Sequence, residues 1–137
     1  MRDRIVNILR KNGYKVTPQR LAICEYVLKS KEHPTAKKIY SEVRKKYPTV
    51  SLATIYQTLK ILEKLNLIQE LPFKEDVRID SNAQPHINLV CLKCGKIEDL
   101  EHESARKVVE AASRIGFEVI KQRIDVLGIC RECQTKK

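Results

Sequence analysis

Four of the chain's five cysteines stand in two closely spaced pairs, Cys91-x-x-Cys94 and Cys130-x-x-Cys133. Four thiolates at this spacing can close a tetrahedral site around a single Zn²⁺. Two redox-active dithiols or two structural disulfides are the competing interpretations, since a lone Cys-x-x-Cys also serves thiol exchange. Neither pair, however, opens a helix in a strand–helix–strand pattern, where the helix dipole would lower a thiol pKa. We therefore predict one structural zinc ion per subunit.

The segments around these pairs predict a small α/β unit. The first pair lies between two apolar or alternating runs and is followed by Gly95, which is typical of a strand, a metal-binding turn and a returning strand. Residues 104–115 carry an apolar stripe at helical spacing, and residues 118–129 alternate as a strand does. Because so small a domain buries little surface, a bound metal would add needed stability.

The positive charge is concentrated in the first part of the chain. The 137 residues carry a formal charge of +10; residues 1–80 contain 17 Lys and Arg against 9 Asp and Glu, whereas residues 81–137 contain 10 against 8. These balances are +8 and +2, and four thiolates around one dication would make the second part nearly neutral. The first part is therefore the candidate for contact with a polyanion, although basic composition alone is not specific.

Four short helices are predicted before residue 66. They span residues 2–11, 18 to about 28, 36 to about 46 and 52 to about 65, with N-caps at Thr17, Thr35 and Ser51 and a terminator at Asn66. Two strands, residues 67–71 and 77–80, follow around a turn at residues 72–76. Helices followed by a β-hairpin form a winged helix-turn-helix, so the predicted class is α+β. The alternative is an ordinary small α+β domain, and Cys24 is interpreted as a core residue.

The outward face of the fourth helix has side chains suited to DNA. Gln57 can pair with adenine through two hydrogen bonds, and Tyr56 can lie against a thymine methyl group. Lys15 and Arg20 would add contacts to the backbone or the minor groove. Each of these residues has a solvated surface position as its alternative. The predicted DNA contacts are Lys15, Arg20, Ser51, Thr54, Tyr56, Gln57 and Lys60.

Four segments together resemble the ferric uptake regulator superfamily over nearly the whole chain. They are Val16-Thr17-Pro18-Gln19-Arg20, His33-Pro34-Thr35-Ala36, residues 51–59 and Cys91-x-x-Cys94-Gly95-Lys96. The resemblance implies a dimeric, metal-dependent repressor of metal-homeostasis or peroxide-stress genes that binds inverted-repeat operators in double-stranded DNA. It also implies a winged-helix DNA-binding domain in residues 1–80, a hinge in residues 81–85 and a zinc-stabilised dimerisation domain in residues 86–137.

A second, regulatory metal held between the domains is a further implication of the resemblance. The matching ligand positions are His33, Asp80, His86 and Asp99, a set that suits Fe²⁺, Mn²⁺ or Zn²⁺. This chain departs from the family at Asn88, which stands where the second histidine of a His-x-His motif belongs. An amide oxygen is a poorer ligand than imidazole for late first-row metals, so we expect a weaker site or a different ligand set, with His102 as one substitute.

The residue at position 99 bears on the signal. Asp99, rather than Glu, is similar to the peroxide-sensing branch of the family, where bound Fe²⁺ reacts with hydrogen peroxide and oxidises a ligand histidine, which releases DNA. A weakened ligand set fits equally a sensor of manganese or iron levels. It also fits a winged-helix regulator that has structural zinc only.

Other classes of protein are less consistent with this sequence. The chain has neither a nucleophile–base pair nor a glycine-rich phosphate loop, so we expect no enzyme and no small-molecule substrate. Neither a signal peptide nor a membrane-spanning run is predicted, and thiols kept for metal favour the reducing cytoplasm. A zinc-binding adaptor for RNA or protein is the remaining alternative, but it would leave the basic helix-turn-helix unexplained.

Overall fold

The computed structural model describes residues 1–73 and 76–135, which form two compact units, Met1–Ser81 and Asn82–Lys137. The assignment of residues 81–85 to a hinge stays a prediction. In the described ranges, no helix combines the length and the apolar character needed to cross a membrane.

The first unit begins with four helices whose starts follow the predicted caps. The side-chain oxygens of Thr17, Thr35 and Ser51 each accept a hydrogen bond of 3.1 Å from the backbone N–H three residues later, which satisfies one of the unpaired donors of a helix start. The helices are α1 (Arg2–Lys11), α2 (Pro18–Lys29), α3 (Ala36–Val43) and α4 (Leu52–Lys64).

The third helix is shorter than the sequence predicted, because it ends at Val43 rather than near Lys46. Val43 is its last buried residue, and Arg44, Lys45 and Lys46 are all exposed. Beyond Val43 the chain tightens into an irregular turn, in which the Lys46 and Tyr47 N–H groups both bond the Val43 carbonyl, at 3.2 and 2.9 Å. This turn brings Tyr47 against the core, where it is partly buried.

These helices share one apolar core, to which a β-hairpin is added. Ile23, Ile39 and Ile55, from α2, α3 and α4, are completely buried in it. The hairpin consists of β1 (Gln69–Phe73) and β2 (Asp76–Asp80), which pair antiparallel. The predicted turn at residues 72–76 has its centre, residues 74 and 75, outside the described residues. The order of three packed helices and a hairpin confirms the predicted winged helix-turn-helix.

The second unit is built on a three-stranded sheet in the order β4-β3-β5. The central strand β3 pairs antiparallel with β4 and parallel with β5. The elements are β3 (Ile87–Cys91), β4 (Ile97–Leu100), α5 (Glu103–Arg114), β5 (Ile124–Gly128) and α6 (Arg131–Thr135). The predicted strand–turn–strand around the first cysteine pair and the helix near residues 104–115 are confirmed.

One prediction for this unit was wrong in extent, and one element of it was not predicted. The strand predicted over residues 118–129 is limited to Ile124–Gly128, and the short helix Arg131–Thr135 was not predicted. Alternation marks a segment that can form a strand, but a strand also needs a partner. Only from Ile124 onward does the chain run beside β3 and form the ladder.

The end of α4 depends on one residue in a left-handed conformation. Asn66 has φ of 60°, and its N–H bonds the Glu63 carbonyl at 2.9 Å, while the Leu67 N–H bonds the Leu62 carbonyl at 3.0 Å. This is the Schellman arrangement, in which a residue without steric conflict at positive φ ends the helix. The predicted terminator is confirmed.

Replacing Asn66 tests this helix end. We expect Asn66→Ala to lower the free energy of unfolding by about 1 kcal/mol, because a Cβ without a local hydrogen-bonding group is disfavoured at positive φ. Asn66→Gly should keep or raise stability. Urea denaturation followed by circular dichroism, at one protein concentration, measures both variants. Equal stability of the two would show that the left-handed conformation does not limit this helix end.

Candidate metal sites and DNA-binding surface

The four paired cysteines meet at one end of the sheet in the second unit. Their Sγ atoms all lie within 4.8 Å of one another, and the Cys94 and Cys130 Sγ atoms are 3.7 Å apart. A tetrahedral Zn²⁺ with Zn–S bonds near 2.3 Å requires sulfur–sulfur distances of roughly 3.8 Å. A disulfide requires roughly 2.0 Å. The spacing therefore fits ligands of one ion and does not fit bonded pairs.

Local backbone geometry places these sulfurs. Cys91 is the last residue of β3, and a turn with Gly95 at φ of 78° brings Cys94 back beside it. The Gly95 N–H bonds the Cys91 carbonyl at 3.0 Å, and the Cys91 N–H bonds the Lys96 carbonyl at 2.9 Å. Cys130 follows the end of the neighbouring β5. The Leu92 N–H bonds the Gly128 carbonyl at 2.8 Å, and this bond holds the segment that carries Cys130 beside the first cysteine pair. The cluster thus joins the ends of two strands.

Contacts within the cluster shift the pKa values of its thiols in opposite directions. Backbone N–H groups of Cys130 and Cys94, at 3.3 and 3.5 Å from the Cys91 Sγ, lower the pKa of Cys91 to about 6. The pKa of Cys130 rises to about 12: the Cys133 N–H acts to lower it, but burial and the neighbouring thiols outweigh that contribution. Zinc ligands bind as thiolates, so a dication in the cluster would favour the charged form of these thiols.

Cys24, the fifth cysteine, lies in a different environment. It is completely buried in the helical core of the first unit, and this burial raises its pKa to about 12. A thiol with so high a pKa is a poor nucleophile and a poor ligand. The interpretation of Cys24 as a core residue is consistent with this environment.

In the first unit, His33 lies in a loop that is tied to β2. Arg78 donates hydrogen bonds to the carbonyls of His33 and Glu32, and the Ile79 N–H donates to the Pro34 carbonyl at 2.9 Å. His33 is 3% exposed and has φ of 54°, a strained value for histidine that persists only where the surroundings impose it.

Asp80, at the end of β2, lies beside this histidine. It is 4% exposed, and a carboxylate oxygen lies within 4.8 Å of a ring nitrogen of His33. Two buried groups that metals favour are thus held on stiff backbone in the first unit. A buried carboxylate is expensive in free energy unless it is paired or bound to a cation.

In the second unit, His86 is oriented as metal-binding histidines usually are. Its Nδ1 lies 2.8 Å from the Gln84 carbonyl oxygen, which can only accept, so Nδ1 carries a proton and the neutral ring has its lone pair on Nε2. Nε2 lies 3.8 Å from Asp99 Oδ1, which is too long for a hydrogen bond. Asn82 donates to the other oxygen of Asp99 at 3.1 Å.

Asn88 and His102, two further positions considered for the regulatory metal, have different surroundings. Asn88 is 2% exposed on β3 and donates from Nδ2 to Asp125 Oδ1 at 3.2 Å. His102 is exposed and is the N-cap of α5, where its Nδ1 lies 3.1 Å from the Ser104 N and 2.7 Å from the Ser104 Oγ. His102 thus has a structural role in capping, whereas Asn88 faces the interior.

The predicted DNA contacts lie on two segments of the first unit: α4 with its cap, and the start of α2 with the loop before it. On α4, Tyr56, Gln57 and Lys60 are exposed, whereas Ile55 and Leu59 are buried in the core. Ser51 and Thr54 are engaged at the cap, with their hydroxyl oxygens 2.9 Å apart. Lys15 is exposed, but half-buried Arg20 donates to the Lys15 carbonyl at 2.6 Å, which gives Arg20 a role in holding that loop.

Several residues that position these groups were not identified from the sequence. They are Arg78, which holds the His33 loop, Gln84, which orients His86, Asn82, which bonds Asp99, and the Arg123–Asp125 pair beside Asn88. Most of these contacts join residues distant in sequence, so no local pattern reveals them. Only the placement of Asp125 on a strand with alternating polarity could have suggested an inward-facing carboxylate.

Comparison with known proteins assigns the chain to a family. The sequence profile described as the ferric uptake regulator family matches residues 11–127. The chain belongs to the ferric uptake regulator family. The members of this family are metal-dependent repressors.

Relatives of the chain include both iron and peroxide regulators. The peroxide-responsive repressor PerR of Staphylococcus epidermidis is 38% identical over 92% of this chain and 85% of its own length. Among solved structures, the Helicobacter pylori ferric uptake regulator Fur, reported with three functional metal-binding sites, has a TM-score of 0.79 at 27% identity, covering 98% of this chain and 92% of its own. The Campylobacter jejuni peroxide stress regulator has a TM-score of 0.72 at 34% identity, covering 93% and 98%.

Removing one sulfur tests whether the cysteine cluster binds metal. We expect Cys91→Ser to lose zinc during gel filtration, because the three remaining ligands leave the site open. Cys24→Ala, which also removes one thiol, should retain the metal. Elemental analysis of both purified variants gives the zinc content per chain. Retention of zinc by Cys91→Ser would contradict a four-thiolate site.

Proposed function

We propose that this family member is a homodimeric repressor whose affinity for a double-stranded DNA operator rises when a divalent ion is bound by residues of both units. The observation that carries the proposal is the exposed face of α4, where Tyr56, Gln57 and Lys60 project from a helix whose other face is buried in the core. Side chains of this kind on an exposed helix suit the edges of bases in the major groove.

The charge distribution supports DNA as the partner of the first unit. Residues 1–80 have 17 basic against 9 acidic residues. A surplus of this size attracts the phosphate backbone, while the residues of α4 supply sequence preference. The N-terminus of α4, capped by Ser51, adds backbone N–H groups and a partial positive charge that favour a nearby phosphate.

Two half-sets of ligands support a regulatory ion. The first unit contributes the buried His33 and Asp80, and the second contributes His86 with its Nε2 lone pair and Asp99. Imidazole and carboxylate together suit Fe²⁺, Mn²⁺ or Zn²⁺. If one ion takes ligands from both units, it favours one relative orientation of the units. DNA affinity rises by as much as the operator prefers that orientation.

We further propose that the cysteine cluster holds one structural Zn²⁺ per subunit and that the protein acts in the cytoplasm. Four reduced thiols at tetrahedral spacing support the zinc. Thiols kept as metal ligands are favoured where the environment is reducing. The exchangeable ion and the structural ion therefore have different roles, and the regulatory response depends on the first.

Hydrogen peroxide is the first candidate for the signal. The S. epidermidis relative is named a peroxide-responsive repressor, and this chain has the shorter acid Asp99. Bound Fe²⁺ would supply reducing chemistry toward peroxide. The part of the chain is to hold the imidazoles of His33 and His86 rigidly, so that oxidation of either ring removes a ligand and weakens DNA binding. A sensor of manganese or iron level is the second candidate, because Asn88 changes the ligand set.

The surface of the second unit supports a homodimer. Most of the large apolar side chains that are exposed in the described residues lie in this unit, among them Phe117 at 63%, Val126 at 50% and Leu127 at 58%. Val126 and Leu127 lie on β5, which is an edge strand of the sheet formed by the described residues. Exposed apolar residues on a strand edge favour association with another chain.

Fluorescence anisotropy with a duplex selected from a random library tests the DNA proposal. We expect Mn²⁺ or Fe²⁺ to tighten binding of the zinc-loaded protein, and hydrogen peroxide to reverse the effect with Fe²⁺ only. Lys60→Ala should weaken binding uniformly across sequences and reduce the slope of log affinity against log salt by about 1. Lys107→Ala removes the same charge from an exposed position in the second unit and should bind as the parent does.

Two results would contradict the DNA proposal. The first is equal affinity for the duplex with and without added metal, which would favour a regulator with structural zinc only. The second is equal affinity for duplex DNA and single-stranded RNA, which would favour a nucleic-acid adaptor.

A charge placed on β5 tests the dimer. We expect Leu127→Lys to shift the protein from dimer to monomer in sedimentation velocity, because a cation would have to be buried against an apolar partner surface. Asn7→Lys adds the same charge to an exposed position of α1 and should leave the dimer intact. A dimeric Leu127→Lys with unchanged dissociation constant would place the interface elsewhere.

A further inference from the structure

We propose that Asn88 is an oxygen ligand of the regulatory metal, that Asp125 and Arg123 fix its orientation, and that this ligand shifts the preference of the site from Zn²⁺ toward Mn²⁺. The inference rests on the regulatory metal proposed above. It concerns residues of the second unit alone, and it assigns a role to Asn88, which stands where the family resemblance implies a ligand histidine.

Polar residues form a row across one face of the sheet. Asn88 on the central strand has Asp99 as its partner on β4 and Asp125 as its partner on β5. Residues directly opposite one another in a sheet point to the same face. His86 lies just before β3 on the same side of the sheet, because its Nε2 is 3.8 Å from Asp99 Oδ1, and both His86 and Asn88 are buried. Asn88 thus shares its face with two of the proposed ligands.

The ion pair beside Asn88 decides which way its amide points. Asn88 Nδ2 donates to Asp125 Oδ1 at 3.2 Å, and Asp125 Oδ2 accepts from Arg123 Nε at 2.9 Å, with a second guanidinium nitrogen at 2.7 Å. If the amide turned over, its oxygen would face a carboxylate oxygen, and two acceptors would repel each other. The amide nitrogen therefore faces Asp125 on β5, and Oδ1 is directed away from that carboxylate.

The state of the Asn88 amide oxygen also indicates that this residue binds a metal. Asn88 Oδ1 is fully shielded from solvent and has no hydrogen-bond partner among the described residues. A buried polar atom in this state destabilises a protein unless something satisfies it. A divalent cation at the position indicated by His86 Nε2 and Asp99 Oδ1 would satisfy it with a strong electrostatic contact.

The consequence for metal choice follows from donor type alone. Histidine and asparagine are both neutral ligands, so exchanging one for the other leaves the charge of the site unchanged. Imidazole favours Zn²⁺ and other late first-row ions, whereas amide and carboxylate oxygens suit Mn²⁺. Asp125 adds no net charge, because Arg123 neutralises it. Asn88 therefore weakens Zn²⁺ binding more than Mn²⁺ binding.

Metal titrations of the full-length, zinc-loaded protein test the inference. The six-line electron paramagnetic resonance signal of free Mn²⁺ measures Mn²⁺ affinity, and competition with a chromophoric chelator measures Zn²⁺ affinity at the second site. We expect Asn88→Ala to weaken Mn²⁺ binding about 10-fold or more, and Asp125→Asn to weaken it by a smaller factor, because the amide is then free to turn. Asn88→His should raise Zn²⁺ affinity more than Mn²⁺ affinity.

Controls separate this inference from the underlying function. Glu110→Gln removes an exposed carboxylate from α5 and should leave both affinities unchanged, while circular dichroism and zinc retention by the cysteine cluster verify folding. If the parent protein binds no second ion, the proposed regulatory site fails and the inference fails with it. If the parent binds Mn²⁺ but Asn88→Ala binds it equally well, only the ligand assignment fails. An unchanged Mn²⁺ to Zn²⁺ ratio in Asn88→His would overturn the selectivity.

Discussion

The cysteine cluster is the constraint on which the second unit depends. It joins the end of β3 to the residues that follow β5, two strands that pair in parallel although they are far apart in sequence. The buried apolar residues described in this unit are limited to Val90, Cys91, Ile97 and Ala105. So small a core gives little free energy to offset chain entropy. A metal cross-link and a covered apolar surface are the two contributions that remain.

The first unit, in contrast, has a large apolar core, which suits its proposed role of binding DNA. Its helices share a large closed core, so the recognition surface on α4 and the loop that carries His33 are both fixed on rigid backbone. Arg78 shows how this is done, because its guanidinium holds two loop carbonyls while burial lowers its pKa. In the proposed function, such a rigid unit would present its DNA-binding surface without local rearrangement.

Asn88 distinguishes the proposed regulatory site of this chain from the ligand set that the family resemblance implies. In the inference above, the Arg123–Asp125 pair holds the Asn88 amide so that its oxygen faces away from Asp125 and is available to a metal. The same residue on a strand without Asp125 would have an amide free to turn. The proposed role of Asn88 therefore depends on the sheet around it as well as on the residue itself.

Most of the elements, and the family, follow from local signals in the sequence. Cap residues at Thr17, Thr35 and Ser51, the terminator Asn66 and the two cysteine pairs act over a few residues, so their effect is visible locally. Tertiary structure decided the rest. The third helix gives way after Val43 to an irregular turn that brings Tyr47 against the core, and β5 begins at Ile124 because only there does a partner strand lie alongside. The orientations of His86 and Asn88 depend on contacts across the sheet or with a loop carbonyl, and pairings of this kind are set by packing of the whole unit, which no local pattern encodes.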